Sequence, residues 1–339
     1  MSQSVSWNTE NIAAYFLNFT IILLYRNIRL GINQVAIDYS TDLAVIERLR
    51  RERNALILAH NYQDDAIQDL ADIVGDSLAL SQAAANNDSD VIVFCGVHFM
   101  AESAAILSPE KTVLLPAETA GCPMADMADA AEVLRWRAKF PNAAVVAYVN
   151  SSAAVKAVSD YCCTSANAVK LVRNIPETEL IFLPDQNLGR FVAEQVPEKT
   201  FHLWPGYCIT HQRLTPADLL KAKELHPDAL VLVHPECQAS VCELADYVGS
   251  TAQIMAYAHQ SPAGKFIIGT EMGIIHGLRK ANPDKIFYLL NQGLVCPNMK
   301  QTTIPKIRTA LETIRPVITV NPELAAKARR ALDRMLEYV

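Results

Sequence analysis

Several features are scarce in this chain of 339 residues. Basic charge is not in excess: 30 Lys and Arg stand against 36 Asp and Glu, a formal net charge of −6, and no basic block appears. The electrostatic footprint that a phosphate backbone demands is therefore missing, and nucleic acid is not expected as a partner. Glycine (12 residues) and aromatics (7%) are few, and no tract is biased, which excludes collagenous, low-complexity and disordered classes. The eight cysteines form no CxxC pair. They are too sparse for a secreted disulfide scaffold, no secretory signal accompanies them, and a reducing cytoplasm is the expected location. Long apolar runs are scarce too. Ile12 to Tyr25 is strongly apolar but only 14 residues long, with Asn18 and Thr20 inside it, and a membrane helix needs roughly 20. Residues 1–40 are expected to be a partly apolar extension, docked or interfacial, with no membrane span.

What is present is a triplicated pattern, the first thing to look for because it decides the fold. Three apolar runs open similar segments: Ala55 to His60, Ala144 to Tyr148 and Ala229 to His234. From His60 to Tyr148 is 88 residues and from Tyr148 to His234 is 86. Hydroxyl-bearing helix starts follow at Asp76-Ser77, Thr164-Ser165 and Ser250-Thr251, again 88 and 86 apart. Pro109-Glu-Lys111, Pro197-Glu-Lys199 and Pro283-Asp-Lys285 keep the same step, and each unit closes on a cysteine, Cys122, Cys208 and Cys296.

The strands read as short continuous apolar runs, such as Val91 to Phe94 and Phe266 to Ile268, the pattern of parallel sheets covered on both faces. The expected fold is α/β: three pseudo-threefold-related α/β/α units with short parallel sheets, the site at their common interface. The boundaries expected are 1–40 for the extension, 41–53 for a leading helix, 54–141, 142–227 and 228–315 for the units, and 316–339 for a C-terminal helix. Linking helices are expected over Met127 to Ala138, Thr215 to Leu225 and Thr302 to Ile314, the second opening on Thr215-Pro216 as cap and first residue.

Ligands of open parallel sheets bind at the carboxyl ends of the strands. Here those ends carry His60-Asn61-Tyr62, Tyr148-Val149-Asn150 and His234-Pro235-Glu236, so a threefold arrangement aims them at one cavity. Ser77, Ser165 and Thr251 read both as N-caps and as parts of an anion site made of helix N-termini. Cys122, Cys208 and Cys296 occupy equivalent positions, which brings three thiols to one point. A disulfide network cannot use three equivalent thiols symmetrically, and structural zinc sites normally have four ligands. A [4Fe-4S] cluster, one per chain, held by three cysteines keeps one iron open as a Lewis acid for dehydration. Cys95, Cys162, Cys163, Cys237 and Cys242 have no counterparts and read as buried small apolar residues. His211 is a candidate for orienting the cysteine loop or the substrate; Glu271 and Asn187 are weaker candidates. A hydro-lyase acting on a hydroxy acid, or an iron–sulfur sensor without turnover, fits the cysteines as well.

Ala59-His-Asn-Tyr62-Gln, Gly75-Asp-Ser77, Gly121-Cys122-Pro-Met, Tyr148-Val-Asn150-Ser-Ser, Cys163-Thr-Ser165-Ala-Asn, Pro184-Asp-Gln-Asn-Leu-Gly189, His234-Pro-Glu-Cys237, Gly249-Ser-Thr251 and Gly269-Thr-Glu271 together resemble the quinolinate synthase family, the A protein of bacterial de novo NAD synthesis. The resemblance runs from about residue 41 to 335. It implies condensation of iminosuccinate with dihydroxyacetone phosphate to quinolinate, phosphate and two waters, with an L-aspartate oxidase as the functional partner supplying iminosuccinate. It implies Cys122, Cys208 and Cys296 as cluster ligands. His60, Ser77, Tyr148, Val149, Asn150, Ser165, His234, Pro235, Glu236 and Thr251 would hold substrate, and Tyr62, Glu236 and His234 would carry the catalytic roles. Two departures stand out: the first 30 to 40 residues look foreign to the family core, and Gly293-Leu-Val-Cys296 lacks the CxxCxxC that some members carry there.

Overall fold

The structure is a computed structural model, and it describes residues 38–338; the stretch Ile12 to Tyr25 lies outside the described residues. The chain divides into residues 1–41 and 42–339, and the second part carries the described sheets. Among the described residues no helix is long and apolar enough to cross a membrane.

Among the described residues twelve strands form three four-stranded sheets. The first holds β1 (Ala55–His60), β2 (Ile73–Gly75), β3 (Val91–Cys95) and β4 (Thr112–Leu114) in the order β2-β1-β3-β4. The second holds β5 (Ala144–Tyr148), β6 (Tyr161–Cys163), β7 (Glu179–Leu183) and β8 (Thr200–Leu203) in the order β6-β5-β7-β8. The third holds β9 (Leu230–Val233), β10 (Tyr247–Val248), β11 (Lys265–Gly269) and β12 (Ile286–Leu289) in the order β10-β9-β11-β12. Every pairing within them is parallel. Helices cover both faces, so the central strands read as unbroken apolar runs: Val91–Cys95 and Ala144–Tyr148 are buried at every position. Three α/β units of one topology follow, as the repeat implies.

A further landmark of the repeat, an aspartate at the same step of 88 and 86 residues, shows its role only in three dimensions. Asp72, Asp160 and Asp246 each accept the backbone N–H of the neighbouring first strand, from Ile57, Val145 and Val231. Each also pairs with a cation on the helix leading into its unit: Arg50, Arg137 and Lys223. The helix Ser40–Glu52, the helix Ala130–Lys139 and the helix Pro216–Leu225 are fastened to their sheets in this common way.

The linking helices differ in detail from the sequence reading. Ala125–Met127 is a separate 3-10 turn, and the α-helix Ala130–Lys139 starts only after Asp129, whose carboxylate accepts from the N–H groups of Ala131 and Glu132. Thr215 does cap its helix, in a capping box with Asp218. The C-terminal helix Pro322–Leu336 buries Ala328, Ala331, Leu332 and Met335 and joins the core of the first two units through Asn167, whose amide donates to the Met335 carbonyl at 2.9 Å.

Candidate active site

The strand order places a switch point between the first and third strands of each sheet, because the chain leaves the first strand to one side and returns on the other. Ligands are bound in such crevices, and here three crevices open on one cavity. Its walls include His60, Tyr62 and Ser77 from the first unit, Tyr148, Asn150 and Ser165 from the second, and His234, Glu236 and Thr251 from the third, with Cys122, Cys208 and Cys296. Val149 and Pro235 depart from the expectation: both are buried, neither lines the cavity, and the Val149 N–H is spent on the Cys163 carbonyl at 2.8 Å. Side chains alternate sides along extended backbone, so the neighbours of Tyr148 and Asn150, or of His234 and Glu236, face away.

Ser77 and Thr251 also differ from the N-cap reading. The caps are the preceding residues: Asp76 accepts from Leu78 and Ala79, and Ser250 forms a capping box with Gln253. Ser77 and Thr251 are the first residues of their helices, and in the second unit the cap of the helix Ala168–Asn174 is Asn167, two residues beyond Ser165. All three hydroxyls are therefore released from capping and sit on the cavity wall. Asn150 adds a buried Oδ1 without a hydrogen-bond partner, an acceptor left for a ligand.

A chain of hydrogen bonds crosses the cavity. Tyr62 Oη lies 2.9 Å from Thr251 Oγ1 and 2.8 Å from Thr270 Oγ1. Thr270 Oγ1 lies 2.9 Å from His211 Nε2, and His211 Nδ1 lies 2.8 Å from Glu236 Oε2. Tyr148 Oη donates to Glu236 Oε1 at 2.7 Å. The two tyrosines are thus joined through a threonine, a histidine and a carboxylate. Burial alone would raise the Glu236 carboxyl, but His234, His211 and the bond from Tyr148 hold it below its usual range, so Glu236 is an anion. Burial, then the charge of Glu236, pushes both tyrosines well above the usual phenol value and keeps them protonated. Burial also pushes His60 down to about 3 and His234 down to about 4, leaving neutral imidazoles. In each of these two, Nδ1 accepts a backbone N–H, from Tyr62 at 3.1 Å and from Glu236 at 3.3 Å. The ring proton therefore sits on Nε2; that of His234 donates to Ser165 Oγ at 3.2 Å.

The three cysteines share one local design. Each precedes a 3-10 turn, Ala125–Met127, His211–Arg213 or Met299–Gln301, and the N–H groups of Ala125, His211 and Met299 point at the sulfurs of Cys122, Cys208 and Cys296. As free thiols they are held protonated by burial, Cys122 pushed up to about 12, Cys296 to about 11 and Cys208 well above the usual value. A cationic group would reverse that preference, and thiolates facing amide N–H groups suit it. The three sulfurs do not meet the spacing at which three donor atoms all lie within 4.8 Å of one another. As they stand they are not a three-donor site for a single ion, and thiols gathered on one cavity wall are the donor type that iron–sulfur groups use.

Two buried carboxylates that sequence reasoning missed or ranked low support the cysteine loops. Asp185 accepts the Cys208 N–H at 3.0 Å through Oδ2 and the Leu188 N–H at 2.7 Å through Oδ1. Glu271 accepts the Cys296 N–H at 3.1 Å and the Gly273 N–H at 2.7 Å. Both follow the third strand of their unit, and the matching residue of the first unit is Val97; among the described residues no carboxylate accepts the Cys122 N–H. Lys300 pairs with Glu271 at 3.3 Å and donates to the Tyr62 carbonyl at 2.6 Å, tying the Cys296 loop to the Tyr62 loop. Asp185 and Thr270 lie inside quoted motifs, yet nothing in the sequence distinguishes a clamp or a relay from a cap. Cys95, Cys162, Cys163 and Cys237 are buried, whereas Cys242 is only half-buried.

Fold and site together define a three-unit α/β protein whose units share one cavity carrying three thiols and a chain of hydrogen-bonded polar side chains. The family model described as Quinolinate synthetase A protein matches residues 44–337. The chain is 58% identical over 292 residues to the quinolinate synthase of Caldicellulosiruptor saccharolyticus, covering 86% of this chain and 96% of that one. It is 58% identical over 291 residues to the quinolinate synthase of Geobacter metallireducens (86% and 95% covered) and 54% identical over 291 residues to that of Methanoregula boonei (86% and 96%). The chain belongs to the quinolinate synthase family.

Proposed function

We propose that this enzyme condenses iminosuccinate with dihydroxyacetone phosphate to quinolinate, releasing phosphate and two waters, in the de novo route to NAD. The observation that carries the reading is the convergence in one cavity of three equivalent thiols with the Tyr62 to Tyr148 hydrogen-bond chain. Units 54–141, 142–227 and 228–315 act as a single catalytic body, because each supplies part of this wall. When bound, a [4Fe-4S] cluster on Cys122, Cys208 and Cys296 supplies an iron without a protein ligand, a Lewis acid that polarises a hydroxyl on its way to leaving as water.

The chain's own residues bind and move protons. Iminosuccinate carries two carboxylates, and the Nε2–H groups of His60 and His234 with the hydroxyls of Ser77, Ser165 and Thr251 supply neutral donors for them. No lysine or arginine lines the cavity among the described residues, so the negative charge is met by hydrogen bonds and helix N-termini. Enolisation of the triose requires a base; Glu236, ionised and buried, takes the proton, and the Tyr148 hydroxyl on its other oxygen keeps it oriented. Tyr62, protonated, donates to oxygen leaving on the far side. Thr270 and His211 connect the two, passing the proton from Glu236 to the phenol oxygen that Tyr62's donation has left deprotonated, which restores both groups without opening the cavity. The enzyme works in the cytoplasm, where an L-aspartate oxidase supplies iminosuccinate.

The test is an anaerobic assay for quinolinate with iron and sulfide analysis on the same sample. About four irons and four sulfides per chain are expected, lost in Cys122→Ala, Cys208→Ala and Cys296→Ala. A colourless protein with full activity overturns the reading, and product formed without triose phosphate replaces it with a hydro-lyase.

A further inference from the structure

We propose that the chain, before or without its cluster, binds a single Zn²⁺ ion through Cys208 Sγ, His211 Nδ1 and a Glu236 carboxylate oxygen, with water as fourth ligand. Among the described residues these are the three metal-donor side chains whose ligand atoms all lie within 4.8 Å of one another. His211 Nδ1 stands 3.2 Å from Cys208 Sγ and 2.8 Å from Glu236 Oε2. Tetrahedral zinc with bonds of about 2.0–2.3 Å separates its ligand atoms by roughly 3.3–3.6 Å, so the trio needs to spread by about half an ångström.

The surroundings are those of a built metal site. His211 and Glu236 are 2% and 4% exposed. The remaining nitrogen of His211 is bonded to Thr270, the remaining oxygen of Glu236 to Tyr148, and the Cys208 loop to Asp185. Such outer partners fix ring and carboxylate orientation. Zn²⁺ with one thiolate and one carboxylate is neutral overall, which removes most of the cost of placing a dication in a buried wall. On binding, the thiol proton of Cys208 leaves to solvent, and His211 carries its proton on Nε2, where it donates to Thr270 Oγ1. All three donors face the cavity, which leaves the fourth position to water.

Cys208 is shared with the cluster, so zinc and cluster exclude each other. Zinc binding is independent of the cluster reading; the exclusion rests on it. The donor sets also separate the two: zinc uses Cys208 without Cys122 or Cys296, while the cluster uses all three cysteines.

The full-length chain, kept anaerobic and reduced, is stripped with a chelator, given ZnCl₂ and desalted against a weak chelator. About one zinc per chain is expected, with one sulfur and several nitrogen or oxygen neighbours in zinc X-ray absorption. Cys208→Ala and His211→Ala should lower zinc retention at least about tenfold, and Cys122→Ala and Cys296→Ala should not. Three sulfur neighbours, zinc lost in Cys122→Ala or Cys296→Ala, or no retained zinc overturns the proposal. The absorption measurement on the unaltered chain decides the matter if a variant fails to fold. Reconstitution with iron and sulfide separates the two readings. Zinc-free chain that takes up iron and sulfide while zinc-loaded chain does not supports both. A cluster assembling with zinc retained overturns the zinc site, and zinc-free chain that takes up no iron overturns the cluster reading alone.

Discussion

Each end of the hydrogen-bond chain is a tyrosine whose phenol is kept protonated at rest by burial and the charge of Glu236. Tyr62 is therefore useful as a donor and not as a nucleophile. Tyr62→Phe should lower kcat by about 10²–10⁴ while iron content and cluster absorbance stay unchanged, since the phenol is no metal ligand; steady-state assay beside iron analysis reads both. Thr270→Val tests the middle of the chain. It keeps the shape and removes the hydroxyl between Tyr62 and His211, so turnover should fall, by less than in Tyr62→Phe because Tyr62 keeps its bond to Thr251. Wild-type turnover in Thr270→Val would mean that protons do not travel that way.

Loops and helix starts carry the cysteines, and the carboxylates behind them act on both. Asp185 caps the helix Gln186–Gln195 with one oxygen and holds the Cys208 amide with the other. Asparagine offers one acceptor and turns its NH₂ toward an N–H. Asp185→Asn is expected to cost about 1–3 kcal/mol through the N–H left without an acceptor, read in denaturant melts, and to speed cluster loss under a chelator. Gly273 marks another contact of elements. A Cβ there would stand 2.7 Å from Tyr62 Cα and 2.8 Å from the Asn61 carbonyl oxygen, backbone that cannot swing aside. Gly273→Ala should destabilise by about 1–3 kcal/mol and lower kcat through Tyr62; a calorimetric scan and an assay check the two effects together.

For the whole molecule, three units meet at the cavity, and a group held by Cys122, Cys208 and Cys296 draws on all of them. Anything bound to the folded state alone stabilises it by mass action. Chelator-stripped protein should therefore melt several degrees below the cluster-loaded form, in anaerobic differential scanning calorimetry. Equal melting temperatures would mean that the group adds nothing to the cohesion of the three units.

The triplication was legible because each unit solves the same packing problem with the same residue pattern: apolar strand, polar strand end, hydroxyl at a helix start, cysteine after the last strand. Hence His60, Tyr148, His234 and the three cysteines could be singled out by spacing, and they do face one cavity. Val149 and Pro235 could not be told from their neighbours, since a tripeptide does not reveal which of its side chains turns inward. Thr270, His211 and Asp185 gain their meaning from residues 23 to 59 positions away, and Lys300 from Tyr62, 238 positions away. The sequence by itself determined the number of units, their parallel sheets and one cysteine in each, because these follow from local periodicity repeated three times. Only the tertiary structure decided which hydroxyls are free of capping, which carboxylates hold the cysteine amides, and that Tyr62 and Tyr148 are joined, because those facts depend on distances between chain segments that no local pattern encodes.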